Sequence, residues 1–323
     1  MRLRGTTRAK RLAAESYARL RNPEIAFAHA FQRPPYGGAN QFLLALRSEL
    51  RRRGFVVEAN VITKRTRACL LNSFAFDDER LRRMLRDDCR IVHRVDGPVA
   101  LYRGFDDGAD DRVVALNSLA DATVFQSTYS VEAHARLGIE LRNPVVIPNA
   151  ADPSIFHPPA QRDRLSGRRI RIVATSWSSN PNKGWATLRQ LEQELDWKRY
   201  ELTFVGQLPE PLLRARVVTA LPSRELAELL RAQDIYIAPS LNDPCSNALV
   251  EALSCGLPAI YARSGGHSEL VGDGGLAYVD AEEIPSRLDQ LADEYEDRRS
   301  KISVASMKEV TDRYLAVLGF GEE

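Results

Sequence analysis

No run of about 18 apolar residues occurs anywhere in the 323-residue chain, so no segment reads as a bilayer-spanning helix. Cysteine is scarce: Cys69, Cys89, Cys245 and Cys255 are the four present. None forms a C-x-x-C pair or a metal-type spacing, which sets aside a disulfide scaffold and leaves free buried thiols of a reducing compartment. The five histidines are scattered, with no H-E-x-x-H cluster, so neither a metal site nor a bound cofactor is expected. The formal net charge is only +2. With no basic strand interleaved with aromatics, a nucleic-acid partner is not expected. Lysine is rare, with six among 45 basic residues.

What is present has the composition of a globular protein: 44% hydrophobic and 27% charged residues, near the average. The length fits two domains, each with its own core. The start, MRLRGTTRAKRLAAESYARLR, is polar and basic and lacks an apolar h-region, so a cytoplasmic location is expected. Residues 1–21 read as a basic arm and Arg51, Arg52 and Arg53 close a helical segment. Such charge blocks are solvated faces or, alternatively, peripheral contacts with anionic lipid headgroups.

Short apolar runs alternate with amphipathic stretches. Strands are predicted at Ile25–Ala30, Phe55–Val61, Ala68–Asn72, Arg90–His93, Ala122–Gln126 and Pro144–Ile147. Helices are predicted at Ala39–Arg53, Asp77–Asp88, Asp111–Leu119 and Ser130–Leu137. This order favours a parallel sheet covered on both faces. The stretch IPNAADPSIFHPPA, with four prolines, cannot be one regular element and reads as a linker. Alternation then restarts. Strands are predicted at Arg169–Ala174, Leu202–Val205, Arg216–Ala220, Ile235–Ala238, Pro258–Tyr261 and Leu276–Val279. Helices are predicted at Trp185–Leu195, Ser223–Ala232, Asn247–Ser254, Ala281–Glu296 and Ser303–Leu318. The expected architecture is α/β: two Rossmann-like, doubly wound parallel-sheet domains facing a central cleft, where ligands bind beyond the strand C-termini. The boundaries are an arm at 1–21, a first domain at 22–150, a second at 151–302 and a closing helical segment at 303–323.

Three loops of the second half carry chemistry. Asp243 precedes Pro244, an N-cap followed by Pro at N1. It either caps a helix or belongs to a site where the free amides and positive dipole end of that helix meet a diphosphate. Glu251 lies eight positions on, about two turns into the helix, where a carboxylate accepts hydroxyls such as a ribose diol offers. The loop TSWSSNPNKG, containing Asn180, ends in Lys183, whose ammonium is a point-charge partner for phosphate oxygens. Gly265 and Gly266 are either a plain turn or a place of close backbone approach to a sugar.

These residues resemble glycosyltransferase family 4, the glycosyl transferases group 1 of the GT-B fold. The resemblance runs from Thr175 to Asp280, most specifically in P-S-x-x-D-P-x-x-x-x-x-V-E-A-L-x-C-G-L-P and the following G-G-x-x-E-L-V, which contains Glu269. The family's E-x7-E motif stands here as Asp243-x7-Glu251. The resemblance implies that Asp243 contacts the donor sugar and Glu251 the ribose. It implies that amides around Ser246, Asn247 and Ala248 receive the diphosphate, assisted by Lys183. In the first half it extends to HAFQRPPYGGANQ, where Gly37 and Gly38 would approach the transferred sugar or its phosphate. It extends also to IVHRVDGP, where His93 would stand near the leaving group with Arg94 and Asp96 as neighbours. Two positions depart from the family pattern. Asp replaces Glu at 243, and Trp177 stands six residues before Lys183 where the family carries Arg; Arg263 or Arg94 would then supply the second cation.

The activity so implied is retaining, metal-independent transfer of a sugar from a nucleotide-diphospho-sugar to an acceptor hydroxyl. The acceptor would be a saccharide, a lipid-linked sugar or a small molecule. The alternatives are epimerisation or hydrolysis of a nucleotide sugar on the same architecture, or a nucleotide-sugar-binding protein without turnover. By the same resemblance the final helix crosses back to the first domain; otherwise it packs on the second.

Overall fold

The computed structural model describes residues 16–33, 37–74, 76–178 and 180–321. The first fifteen residues of the basic arm lie outside these. Among the described residues twelve strands form two six-stranded sheets. The first holds β1 (Ile25–Ala28), β2 (Val57–Ala59), β3 (Ala68–Asn72), β4 (Arg90–Val95), β5 (Ala122–Phe125) and β6 (Pro144–Val146). The second holds β7 (Ile170–Ser176), β8 (Tyr200–Gly206), β9 (Arg216–Val218), β10 (Ile235–Ala238), β11 (Ala259–Ala262) and β12 (Gly275–Tyr278). The orders are β2-β1-β3-β4-β5-β6 and β12-β11-β10-β7-β8-β9. Every pairing is parallel. In each sheet the order of strand addition reverses once, beside β1 and between β7 and β10, and the crevices beyond those strand ends face each other.

The strands are apolar runs because helices cover both faces. Ile25, Phe27, Leu70, Val92 and Val124 pack toward the Gly38–Arg52 helix in one core layer, and Ala26, Cys69, Leu71 and Ile91 form the other. The second domain has the same two layers, one against Leu188, Leu191 and Leu288 and the other against Ala227, Leu249 and Leu253. All four cysteines are free and buried, and burial pushes the Cys89 thiol up to about 11. Arg51, Arg52 and Arg53 are held by Glu58, Glu49 and Asp312.

Most predicted elements appear within two or three residues of their expected ends. Three differ more. The Asp77–Asp88 helix ends at Met84. A short helix, Val99–Arg103, follows β4 after Pro98, its first amides accepted by the Asp110 carboxylate. The Ala281–Glu296 stretch divides into a 3-10 turn at Ala281–Glu283, a helix at Ile284–Asp293 and another at Tyr295–Ser300. The closing helix runs over Met307–Val317, started by a capping box between Ser306 and Glu309. It lies on the first domain. Met307, Val310, Tyr314 and Leu315 join the Phe42, Leu46 and Leu50 core, each such burial contributing about 1.5–3 kcal/mol. The last segment therefore ties the two domains together. Among the described residues no helix is long and apolar enough to cross a membrane.

Candidate functional site

β7 delivers Thr175 and Ser176 to the crevice, and the loop beyond it turns through Asn180 and Pro181 to Lys183. Gly184 ends that turn at φ +76°; a Cβ there would lie 2.3 Å from the Pro239 carbonyl oxygen, so only glycine lets the two loops meet. The loop after β10 then presents Asp243, which is 7% exposed. Lys183 Nζ donates to Asp243 Oδ2 at 2.8 Å. Burial alone would raise the Asp243 carboxyl, but Lys183, His267 and the Cys245 amide outweigh it and hold it below its ordinary value.

The Asn247–Ser254 helix starts at Ser246, whose Oγ accepts from the Leu249 amide. Its remaining first-turn amides and its positive dipole end point into the crevice. Glu251 sits one turn on. Among the described residues its carboxylate has no hydrogen-bond or ion-pair partner, and burial raises it to about 8.

The first domain supplies the facing wall. Gly37 (φ +53°) leads into the Gly38–Arg52 helix, whose start lacks a side-chain cap. Gly38 lies against Asn247: a Cβ on it would come within 2.7 Å of the Asn247 amide nitrogen. Asp96, Tyr102 and Gln126 complete a hollow of about 300 Å³ shared with Lys183, Asp243 and Ser246. Lys183 is the single cationic side chain among the described residues lining it, and Trp177 stands on its wall. A second hollow, of about 120 Å³, continues it past Ala248 to Glu251, Val205 and Leu221. The chemistry on offer is one ammonium, two helix N-termini and three carboxyl groups, Asp96, Asp243 and Glu251, the last held near neutrality.

The structure thus gathers Gly37, Gly38, Lys183, Asp243, Ser246, Asn247, Ala248 and Glu251 on one crevice, with Asp96 opposite. It separates the others. His93 is a core residue of β4, fully buried. Its Nε2 bonds the Ser73 carbonyl at 2.8 Å, its Nδ1 meets the Asn117 amide, and burial lowers it to about 4. It does not line the crevice. Arg94 is also fully buried; it donates to Asn72, Asn149 and Asp96 and lies 4.9 Å over the Phe42 ring, so it supports Asp96 and is not a second cation for the ligand. Arg263 is exposed and lines neither hollow.

Asn180 donates to the Tyr102 carbonyl and accepts from the Asn182 amide, and Asn182 reaches Leu101 and Tyr102. Glu269 accepts from the Thr128 and Tyr129 amides, capping the Thr128–Arg136 helix of the first domain. Both residues join the domains instead of touching the hollow. Gly265 (φ +63°) and Gly266 make their close approach to the Asp243–Pro244 backbone, with the Gly266 amide donating to the Asp243 carbonyl at 2.9 Å. Sequence reasoning missed Tyr102, Gln126 and Gln41. The only signal for Gln126 was its place as the last residue of a predicted strand, and the observed strand ends one residue before it.

Residues 170–294 match the family model described as Glycosyl transferases group 1. A D-inositol 3-phosphate glycosyltransferase of Corynebacterium glutamicum (strain R) is 30% identical over 142 residues, 43% of this chain and 30% of that protein. An MMP alpha-(1->4)-mannosyltransferase of Mycolicibacterium hassiacum is 28% identical over 198 residues, 53% of this chain and 47% of that protein. The chain spans less than half of either relative's length. Among solved structures, a sucrose-phosphate synthase from Thermosynechococcus elongatus superposes with a TM-score of 0.72 at 16% identity, over 91% of this chain and 97% of that one. Anabaena Alr3699/HepE in complex with UDP-glucose superposes with a TM-score of 0.65 at 16% identity, over 91% and 99%. The architecture is the GT-B fold of these enzymes.

Proposed function

We propose that this chain, whose residues 170–294 match the glycosyl transferases group 1 model, transfers a sugar from a nucleotide-diphospho-sugar to an acceptor hydroxyl in the crevice between its domains. The observation that carries this is the Lys183–Asp243 pair at 2.8 Å, set beside the Asn247–Ser254 helix N-terminus. A cation and free amides there meet a diphosphate, and a buried carboxylate beside them accepts sugar hydroxyls. The Anabaena neighbour, in complex with UDP-glucose, supports the donor class.

In this reading the bond between the anomeric carbon and the diphosphate oxygen breaks while the acceptor oxygen forms a new bond to that carbon. Lys183 and the helix amides neutralise the departing diphosphate, which takes the acceptor's proton. No metal is required for that neutralisation. Retention is proposed on the family resemblance, and the environment of the two carboxylates is compatible with front-face attack. Asp96 is held by Arg94 and Asp243 by Lys183, which weakens either as a nucleophile. Near-neutral Glu251 both donates and accepts, matching a ribose diol. The acceptor is a saccharide, a lipid-linked sugar or a small molecule, and the setting is the cytoplasm or the inner face of a membrane.

Incubation with UDP-, GDP- and ADP-sugars and a panel of acceptors tests the proposal. The expected result is release of the nucleoside diphosphate together with a new glycoside of the donor's anomeric configuration. Hydrolysis or isomerised donor without glycoside would replace transfer with one of the rival activities. The single cation of the hollow favours a further reading, a nucleotide-sugar-binding protein without turnover; binding with no product from any donor would establish that reading instead.

A further inference from the structure

Gln41, in the first turn of the Gly38–Arg52 helix, is a first-domain residue at the wall of a second-domain site. With Ser223, Asn247 and Glu251 it lines both the hollow of about 120 Å³ beside the crevice and a larger one of about 440 Å³ on the far side of Glu251. The Gly38–Asn247 approach holds it there, because the Asn247 side chain packs directly on Gly38, where a Cβ would not fit. Its Nε2 is buried without a hydrogen-bond partner. Its Oε1 receives only a long contact, 3.4 Å, from Ser223 Oγ. Turning the amide over would exchange these roles and still leave one end unpaired. A buried amide left unpaired is costly, and buried polar groups in folded proteins almost always have a partner. The Glu251 carboxyl, on the same wall and half-buried, also has no hydrogen-bond or ion-pair partner among the described residues. Each domain therefore turns one polar group without a protein partner toward a single seam.

We propose that Gln41 binds the sugar of the donor nucleoside. Its amide and the Glu251 carboxyl hold the two ribose hydroxyls from opposite domains. A vicinal diol fits because each hydroxyl both accepts, here from Nε2, and donates, here to the carboxyl. The inference rests on the nucleotide-sugar reading and adds that the nucleoside is gripped by both domains. Bound nucleotide then favours the domain arrangement in which Gln41 and Glu251 share a wall.

Calorimetry on the full chain tests this with whichever of UDP, GDP or ADP the wild type binds, and with the 2′,3′-dideoxy form of that nucleotide. Gln41→Leu should weaken the ribonucleotide about five- to tenfold, the loss of one hydrogen bond. It should leave dideoxynucleotide affinity unchanged without lowering the thermal midpoint. Equal weakening of both nucleotides would mark Gln41 as a packing residue and overturn the proposal, as would unchanged affinity for both. Should the wild type bind no nucleotide, the nucleotide-sugar reading itself fails, an outcome distinct from either.

Discussion

Lys183 Nζ and Asp243 Oδ2 lie 2.8 Å apart although their positions are 60 residues distant in the chain. Gly184 and Gly265 make this possible by letting the Lys183 and Ser264 loops press against the backbone around Asp243. The pair leaves the Asp243 carboxylate ionised and the ammonium pointed at the place where a diphosphate would leave. Lys183→Ala should lower transfer on the order of 10²–10³-fold, the effect of deleting one preorganised charge-stabilising donor. Asp243→Asn should lower it as well while leaving the fold intact; steady-state rates beside circular dichroism check both.

Glu251 makes stability depend on pH in an unusual sense. A carboxyl raised from 4.5 to about 8 binds more protons in the folded than in the unfolded chain between those values. Stability therefore falls as pH rises through that window. Glu251→Gln should remove this slope and raise the thermal midpoint at pH 8 above that of the wild type. At pH 4 the two proteins should melt alike. Melting curves across pH 4–9 decide it.

Glu269 caps a helix of the opposite domain through the Thr128 and Tyr129 amides, at 2.7 and 2.8 Å. Glu269→Ala should cost about 1 kcal/mol, as loss of an N-cap does, and loosen the contact between domains. Small-angle scattering should record a larger radius of gyration for the variant, reduced again when nucleotide is added. Identical envelopes for variant and wild type would exclude Glu269 as a domain clip.

Arg94 is buried with its donors on Asn72, Asn149 and Asp96. Arg94→Met leaves those acceptors unpaired and should destabilise by about 3–5 kcal/mol. Arg263→Ala, at an exposed position, should change stability by less than about 0.5 kcal/mol. Urea unfolding of both variants gives the comparison.

The fold was legible because each strand is an apolar run and each helix has its own stripe. β3, β10 and the Asn247–Ser254 helix fall on the expected residues. The second-domain half of the site was equally plain, since motif spacing places Asp243 and Glu251 around one helix start. The first-domain half was not. In a strand covered on both faces, alternation does not say which residue meets solvent, so His93 looked available although it faces Asn117 in the core. Asp96, just past the end of β4, is the residue that reaches the hollow. Asn180 and Glu269 sit in the right loops, but their side chains answer to the other domain, a contact that no local pattern encodes.

The most direct measurement is calorimetric titration of UDP, GDP and ADP, each beside its phosphate-free nucleoside, into wild-type and Lys183→Ala protein. The account predicts that at least one diphosphate binds the wild type and binds Lys183→Ala more than tenfold more weakly, with nucleoside binding unchanged. Equal diphosphate affinity in the two proteins, or no binding to the wild type, would contradict it.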